Sequence, residues 1–195
     1  LPLEVILSGA SAGALAVVMS LCDVNANEAH ALAFRLSDEA GVFGTPFGLC
    51  GRWGCIVHEW LQVLLPGDAA QRCSGRCCVV ITKGTCSPPF LRAEGVHVFN
   101  ERESLVNSLM ASTHIPVLMD FSFCSWRSSP AADGALLKWF CMESDMSLLA
   151  PSAQHTLFIS HTKDSIFLDA CRENRWSSVN PAGTELFAEF GAQYV

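Results

Sequence analysis

Gly9-Ala10-Ser11-Ala12-Gly13 is the stretch of this chain most capable of chemistry. A serine between small residues serves as a nucleophile when it stands on a sharp turn from a strand into a helix. The G-x-S-x-G spacing alone decides little, because roughly one chain in ten or twenty of this length carries it by chance. Its surroundings decide more. Val5-Ile6-Leu7 reads as a short buried strand, Ser8 to Gly13 as a turn, and Ala14 to Leu21 as a helix. Gly9, Ala10, Ala12, Gly13 and Ala14 are all small, as a crowded turn requires. The helix N-terminus would add partial positive charge beside the hydroxyl. The other reading is a glycine-rich turn carrying a passive serine.

A serine nucleophile needs a base. The usual base is a histidine held by a carboxylate. His30, His58, His97, His114, His155 and His161 lie in no recognisable motif. Ala132-Asp133-Gly134-Ala135 offers a carboxylate on a turn of small residues that acts on the serine directly, although an isolated Asp-Gly is ordinarily only a turn.

The elements that must position these residues alternate between strand and helix. Helices are predicted over Ala26 to Ala40, capped by Asn25 or Asn27, and over Cys55 to Leu65, stopped by Pro66-Gly67. Asn100 opens a further helix with Glu103 in a capping box and an apolar face of Val106, Leu109 and Met110. Pro181 to Gln193 reads as a last helix. Strands are predicted over Cys77 to Thr82 (a central one), Gly95 to Phe99, Val117 to Met119 and Leu157 to Ile159, with 41–54 as a loop. The alternation points to one α/β domain over residues 1–195.

Half of the residues are hydrophobic and 16% are charged, which argues against disorder. The formal net charge of -7, with no basic run, argues against nucleic acid as a partner. The strongly apolar stretch around Ala12 to Cys22 is too short to span a bilayer. The chain starts at Leu1 without a secretory signal, so it reads as a piece of a longer cytoplasmic protein. Ten cysteines, several within apolar runs, read as buried thiols in a reducing compartment. Cys73, Cys77, Cys78 and Cys86 could suggest zinc, but they form no CxxC pair and two adjacent cysteines ligate one metal awkwardly, so no metal is expected; no other cofactor is expected either.

Gly9 to Leu15 together with Asp133-Gly134-Ala135 resembles the patatin-like phospholipase family, which pairs a G-x-S-x-G serine with the aspartate of a D-G-G or D-G-A motif. Leu64-Leu65-Pro66 followed by Ser74-Gly75-Arg76, and Asn100 to Ser112 followed by Ile115-Pro116, are similar to the adipose-triglyceride-lipase and adiponutrin branch. Pro181 and the helix into Phe190-Gly191 extend the resemblance over most of the chain. The resemblance implies a three-layer fold, with a mostly parallel central sheet and helices on both faces. It implies a Ser11–Asp133 dyad that cleaves lipid esters, acylglycerols first and phospholipids next. It also implies peripheral contact with a membrane or lipid-droplet surface, and a protein co-activator. The aromatics Phe43, Phe47 and Trp53 suit such an interfacial enzyme, and suit a plain core equally.

Two departures stand beside the match. The family's glycine-rich oxyanion loop, G-G-G-x-(R/K)-G, precedes the serine, and no such loop lies between Leu1 and Ser11. Gly48, Gly51, Arg52 and Gly54 have a similar look but follow the serine, as part of a surface or lid region. Lys138, Trp139 and Phe140 stand where the family commonly has asparagine and proline. Two alternatives therefore remain: a noncatalytic lipid-binding or regulatory relative, and a Ser-His-Asp α/β-hydrolase with His155 or His161 as base.

Overall fold

The computed structural model describes residues 5–44, 47–88, 90–122 and 124–136. The strand candidate Leu157 to Ile159, the helix candidate Pro181 to Gln193, and Lys138, Trp139 and Phe140 lie outside them. Among these residues five strands and five α-helices follow in the order β1 (Leu7–Ala10), α1 (Ala12–Leu21), α2 (Ala26–Glu39), α3 (Trp53–Leu64), α4 (Ala69–Cys73), β2 (Cys77–Gly84), β3 (Leu91–Val96), α5 (Arg102–Ser112), β4 (Cys124–Trp126) and β5 (Ser129–Ala132), with a single 3-10 turn, Val42–Gly44, between α2 and α3. The chain is of the α/β class. No helix among the described residues is long and apolar enough to cross a membrane.

β2 is the centre of the sheet. It runs parallel to β1, pairing Leu7 with Cys77 through Ala10 with Val80. It runs antiparallel to β3, from Val79–Val96 to Gly84–Leu91, and to β5, at Thr82–Ala132 and Lys83–Ala131. β5 pairs antiparallel with β4. The described sheet is therefore mixed. The expected parallel pairing is met by β1 and β2, whereas the pairings made by β3, β4 and β5 are antiparallel.

Residues Cys77 to Thr82 are buried on both faces of the strand. Cys77, Val79 and Ile81 share a core with Ala14 and Val18 of α1, Leu61 of α3, Ala69, Ala70 and Cys73 of α4, and Leu105 and Leu109 of α5. Such alternation is what a pleated strand imposes. Cys78, Val80 and Thr82, on the opposite face, are buried as well. Burial of the valine, isoleucine and leucine side chains of this core, at about 1.5–3 kcal/mol each, holds β2 in place. A smaller cluster of Leu32, Leu36, Val42 and Ile56 joins α2 to α3. Phe43 and Trp53 pack against these clusters, while Phe47 is 80% exposed.

Local chemistry accounts for the helix ends. The Asn25 side chain accepts hydrogen bonds from the N–H groups of Asn27, at 2.9 Å, and Glu28, at 3.2 Å. Such a cap contributes about 1 kcal/mol. α5 begins one residue later than expected. Its N-cap is Glu101, whose N–H donates to the Ser104 hydroxyl at 3.3 Å, so the residue at N3 is Ser104 and not Glu103. Its buried face is Leu105, Val106, Ser108, Leu109, Ala111 and Ser112, with Met110 half-buried.

Three strand expectations change. β1 begins at Leu7 rather than Val5, and β3 ends at Val96 instead of continuing to Phe99. Val117 to Met119 is a turn, because the chain entering α3 and the first turn of that helix claim its carbonyls. The Gly51 N–H bonds Val117 at 2.9 Å, and the Gly54 N–H bonds Met119 at 3.0 Å. Val117 accordingly takes a φ of 74°, which is foreign to a strand. The β4–β5 hairpin was not expected. It turns on Arg127 and Ser128, both with positive φ, which is the geometry that Asn-Gly more often fills. The Arg127 guanidinium lies 4.4 Å from the centre of the Trp126 ring, a contact that stabilises this turn.

Candidate active site

Ser11 is the whole connection between β1 and α1. The turn expected over Ser8 to Gly13 is compressed to one residue, with φ 55° and ψ -130°. A non-glycine residue in this region is strained and persists only where its surroundings over-determine it. The sharp reversal places the Ser11 hydroxyl at the end of the strand and at the head of α1. There the first N–H groups of the helix, at Ala12 and Gly13, have no intrahelical acceptor.

The two glycines of the motif have different reasons to be there. A Cβ on Gly9 would overlap the Gly13 carbonyl and come within 2.6 Å of the Ala14 nitrogen, so the first turn of α1 closes only over a bare Gly9. A Cβ on Gly13 meets nothing within 4 Å. Ala14 is fully buried and Ala10 and Ala12 are not, so crowding acts at Gly9 and Ala14 and not evenly along the motif.

Asp133 follows the last residue of β5 and is 2% exposed. Its N–H donates to the His114 carbonyl at 2.8 Å, and its Oδ1 accepts the Ala135 N–H at 2.8 Å. Its Oδ2 is buried without a hydrogen-bond partner. Burial pushes the carboxyl above the ordinary aspartate range. The Ser11 hydroxyl, the Ala135 N–H and the nearby His114 pull it back in part. Ser11 is thus among the groups that act on the Asp133 carboxyl, although no hydrogen bond joins the two side chains.

Gly134 is required by close approach. A Cβ there would overlap the Val80 carbonyl oxygen and lie 3.1 Å from the Ala10 Cβ. This Asp-Gly therefore works as a contact between two chain segments, beyond its part in a turn. Ala135 supplies the N–H that holds Oδ1.

Sequence reasoning missed Ser112, the fully buried last residue of α5. Its hydroxyl accepts the Ser11 N–H at 3.1 Å and donates to the Val80 carbonyl at 2.6 Å. Its carbonyl accepts the Gly134 N–H at 2.9 Å. The available signal was a serine placed on an apolar helix face, three residues beyond Leu109. A buried hydroxyl there must find partners.

Among the described residues no histidine hydrogen-bonds to Ser11. His114 is buried with its Nε2 3.1 Å from the Ser122 carbonyl oxygen. His155 and His161 lie outside the described residues. No group of three or more His, Cys, Asp or Glu side chains among the described residues is arranged to hold a metal ion. The Gly48-to-Gly54 segment leads into α3, where the Arg52 guanidinium donates to the Ala40 carbonyl at 3.1 Å. Two open hollows of about 360 Å³ flank α3, one beside Leu36 and Arg52 and one beside His58 and Met119. Neither is lined by Ser11 or Asp133.

Comparison of the chain with protein-family models, with curated proteins and with solved structures finds no match.

Proposed function

We propose that this chain is the catalytic part of a patatin-like serine acyl hydrolase acting on lipid esters. One observation carries the reading: a serine on a strained, one-residue elbow faces a buried aspartate whose Oδ2 has no other partner. A structural aspartate would be expected to spend both oxygens on hydrogen bonds. A general base keeps one free.

In the proposed reaction the Ser11 Oγ attacks the ester carbonyl while its proton passes to Asp133. The C–O bond to the alcohol then breaks and the alcohol leaves with that proton, giving an acyl-enzyme on Ser11. Asp133 next takes a proton from water, whose oxygen attacks the acyl carbon. Collapse of the second tetrahedral intermediate releases the acid and returns the proton to Ser11. The Ala135 N–H orients the carboxylate throughout. The first N–H groups of α1 face the charge that develops on the carbonyl oxygen. Burial of Asp133 strengthens it as a base, because its pKa is raised toward the working pH.

The substrate class, acylglycerols before phospholipids, rests on the resemblance described above, as do the three-layer fold, contact with a lipid surface and a protein co-activator. The exposed Phe47 and Phe121, each 80% accessible, suit an apolar surface.

The test is covalent labelling by a fluorophosphonate together with turnover of an acylglycerol. Labelling of the protein that is lost in Ser11→Ala is the expected result. Failure of the wild type to label leaves a noncatalytic lipid-binding relative. Loss of labelling on replacing His155 or His161, with Asp133→Asn unaffected, selects the Ser-His-Asp alternative.

A further inference from the structure

Ser112 stands where three segments meet. The first is the elbow, through the Ser11 N–H at 3.1 Å. The second is the central strand, through the Val80 carbonyl at 2.6 Å. The third is the Asp133 turn, through the Gly134 N–H at 2.9 Å. A hydroxyl has one proton and two lone pairs. Here the proton goes to Val80 and a lone pair takes Ser11, so the hydroxyl bridges an N–H and a C=O where β1 leaves the sheet. The Val80 carbonyl is also the atom against which Gly134 packs. One fully buried residue therefore sets the distance from β2 to the backbone of Ser11 on one side and of Gly134 on the other.

We infer that Ser112 is a positioning residue for the Ser11–Asp133 pair. Its hydroxyl holds the Ser11 backbone in its positive-φ conformation, and its carbonyl, next to that of His114, holds the Asp133 turn in register with it. This inference rests on the Ser-Asp reading of the site and goes beyond it. It assigns a role to a residue whose hydrogen bonds go to backbone groups of the site. Without the hydroxyl, the Ser11 N–H and the Val80 carbonyl each lose a buried partner, and the elbow is free to relax toward ordinary strand geometry. Ser11 then misses its attack position by a fraction of an ångström to an ångström, a displacement able to cost up to about 100-fold in rate.

The experiment compares wild type, Ser112→Ala and Ser112→Cys in the same protein. The readouts are thermal melting, the rate constant for fluorophosphonate labelling, and kcat and KM on a soluble p-nitrophenyl ester. The expected result for Ser112→Ala is a folded protein whose labelling rate and kcat fall together by about 10–100-fold with KM within twofold. Ser112→Cys, nearly isosteric and a weak hydrogen-bonding group, is expected to lose about as much; it decides the matter should the alanine variant fail to fold. Labelling and kcat within about twofold of wild type in either folded variant overturn the inference. A rise in KM at constant kcat overturns it too, because positioning acts on the chemical step. If wild type itself is not labelled, or Ser11→Ala retains full turnover, the dyad reading fails and takes this inference with it. Labelled wild type with undiminished Ser112 variants sinks the inference alone.

Discussion

Ser11 and Asp133 each follow the last residue of a strand, and those two strands meet head to head along one edge of β2. Ala10 pairs with Val80 and Ala132 with Thr82, so the residues that come next converge beside Ile81. β3 occupies the opposite edge from Val79 to Gly84, which leaves a single edge for both β1 and β5. Because one strand runs parallel to β2 and the other antiparallel, their carboxyl ends point at each other. Ala10 and Gly134 are accordingly in close contact, and Ser11 and Asp133 share one gap in the sheet.

If the pair acts as a unit, removing either member costs nearly as much as removing both. Asp133→Asn is expected to lower kcat on an acylglycerol by about 10²–10⁴-fold, the usual share of a general base. Adding Ser11→Ala should lower it little further than Ser11→Ala alone. Turnover per folded molecule in the two single variants and the double checks this. Near-wild-type turnover in Asp133→Asn removes Asp133 from the mechanism.

The raised pKa of Asp133 has a sign in both activity and stability. As a base it must be ionised, so kcat/KM should rise with pH along an acidic limb whose midpoint lies above the ordinary 3.8. In stability the direction is opposite. Below the ordinary aspartate pKa the folded and unfolded chains both carry the proton. As pH rises toward the folded-state pKa, the unfolded chain releases its proton first and stability is lost. Asp133→Asn does not titrate, so its melting temperature should gain on wild type as pH climbs through this window and hold the gain above it. A variant that melts lower than wild type at neutral pH, with no such trend, marks Asp133 as a structural residue.

Three glycine-to-alanine changes should separate by sterics alone. Gly9→Ala and Gly134→Ala drive a methyl into backbone that has no room to move, and each is expected to cost about 1–3 kcal/mol or more. Gly13→Ala meets open space in the first turn of a helix and should stabilise by roughly 0.4–1 kcal/mol. Chemical denaturation of the three variants gives the order. A Gly13→Ala variant as unstable as the other two contradicts the described elbow.

The thiols should divide by burial. The Cys22 and Cys73 sulfurs lie 3.9 Å apart in the core. The hydrogen bond to Cys73, then burial, raise the Cys22 pKa far above the ordinary thiol range. For Cys73 the hydrogen bond to Cys22 pulls down, yet the one to Cys77 and burial push it up to about 12. Burial raises Cys78 to about 11. Because the thiolate is the reactive form, iodoacetamide at neutral pH should modify the exposed Cys55 and Cys86 and spare Cys22, Cys73 and Cys78 until the protein unfolds. Peptide mass mapping reads the result. Early modification of Cys73 is inconsistent with the described core.

What the sequence determined by itself was local. The apolar run at Cys77 to Thr82, the Asn25 cap and the amphipathic stretch before Pro66-Gly67 each state their element through short-range periodicity and capping chemistry. The G-x-S-x-G segment states an elbow in the same way, since a serine among small residues between an apolar run and a helical one suits a sharp strand-to-helix turn. The tertiary structure decided what no window of neighbours contains. Val117 to Met119 has strand-like residues, but Gly51 and Gly54 take its carbonyls from a distant part of the chain. The β4–β5 hairpin turns on Arg-Ser, a pair without the usual turn chemistry, and a ring contact with Trp126 helps to hold it. Ser112 looked like an ordinary helix residue until the fold set Ser11, Val80 and Gly134 around it. Nor does the sequence state the burial of Asp133, because desolvation depends on every segment that closes over a carboxylate, and those segments meet only in the folded chain.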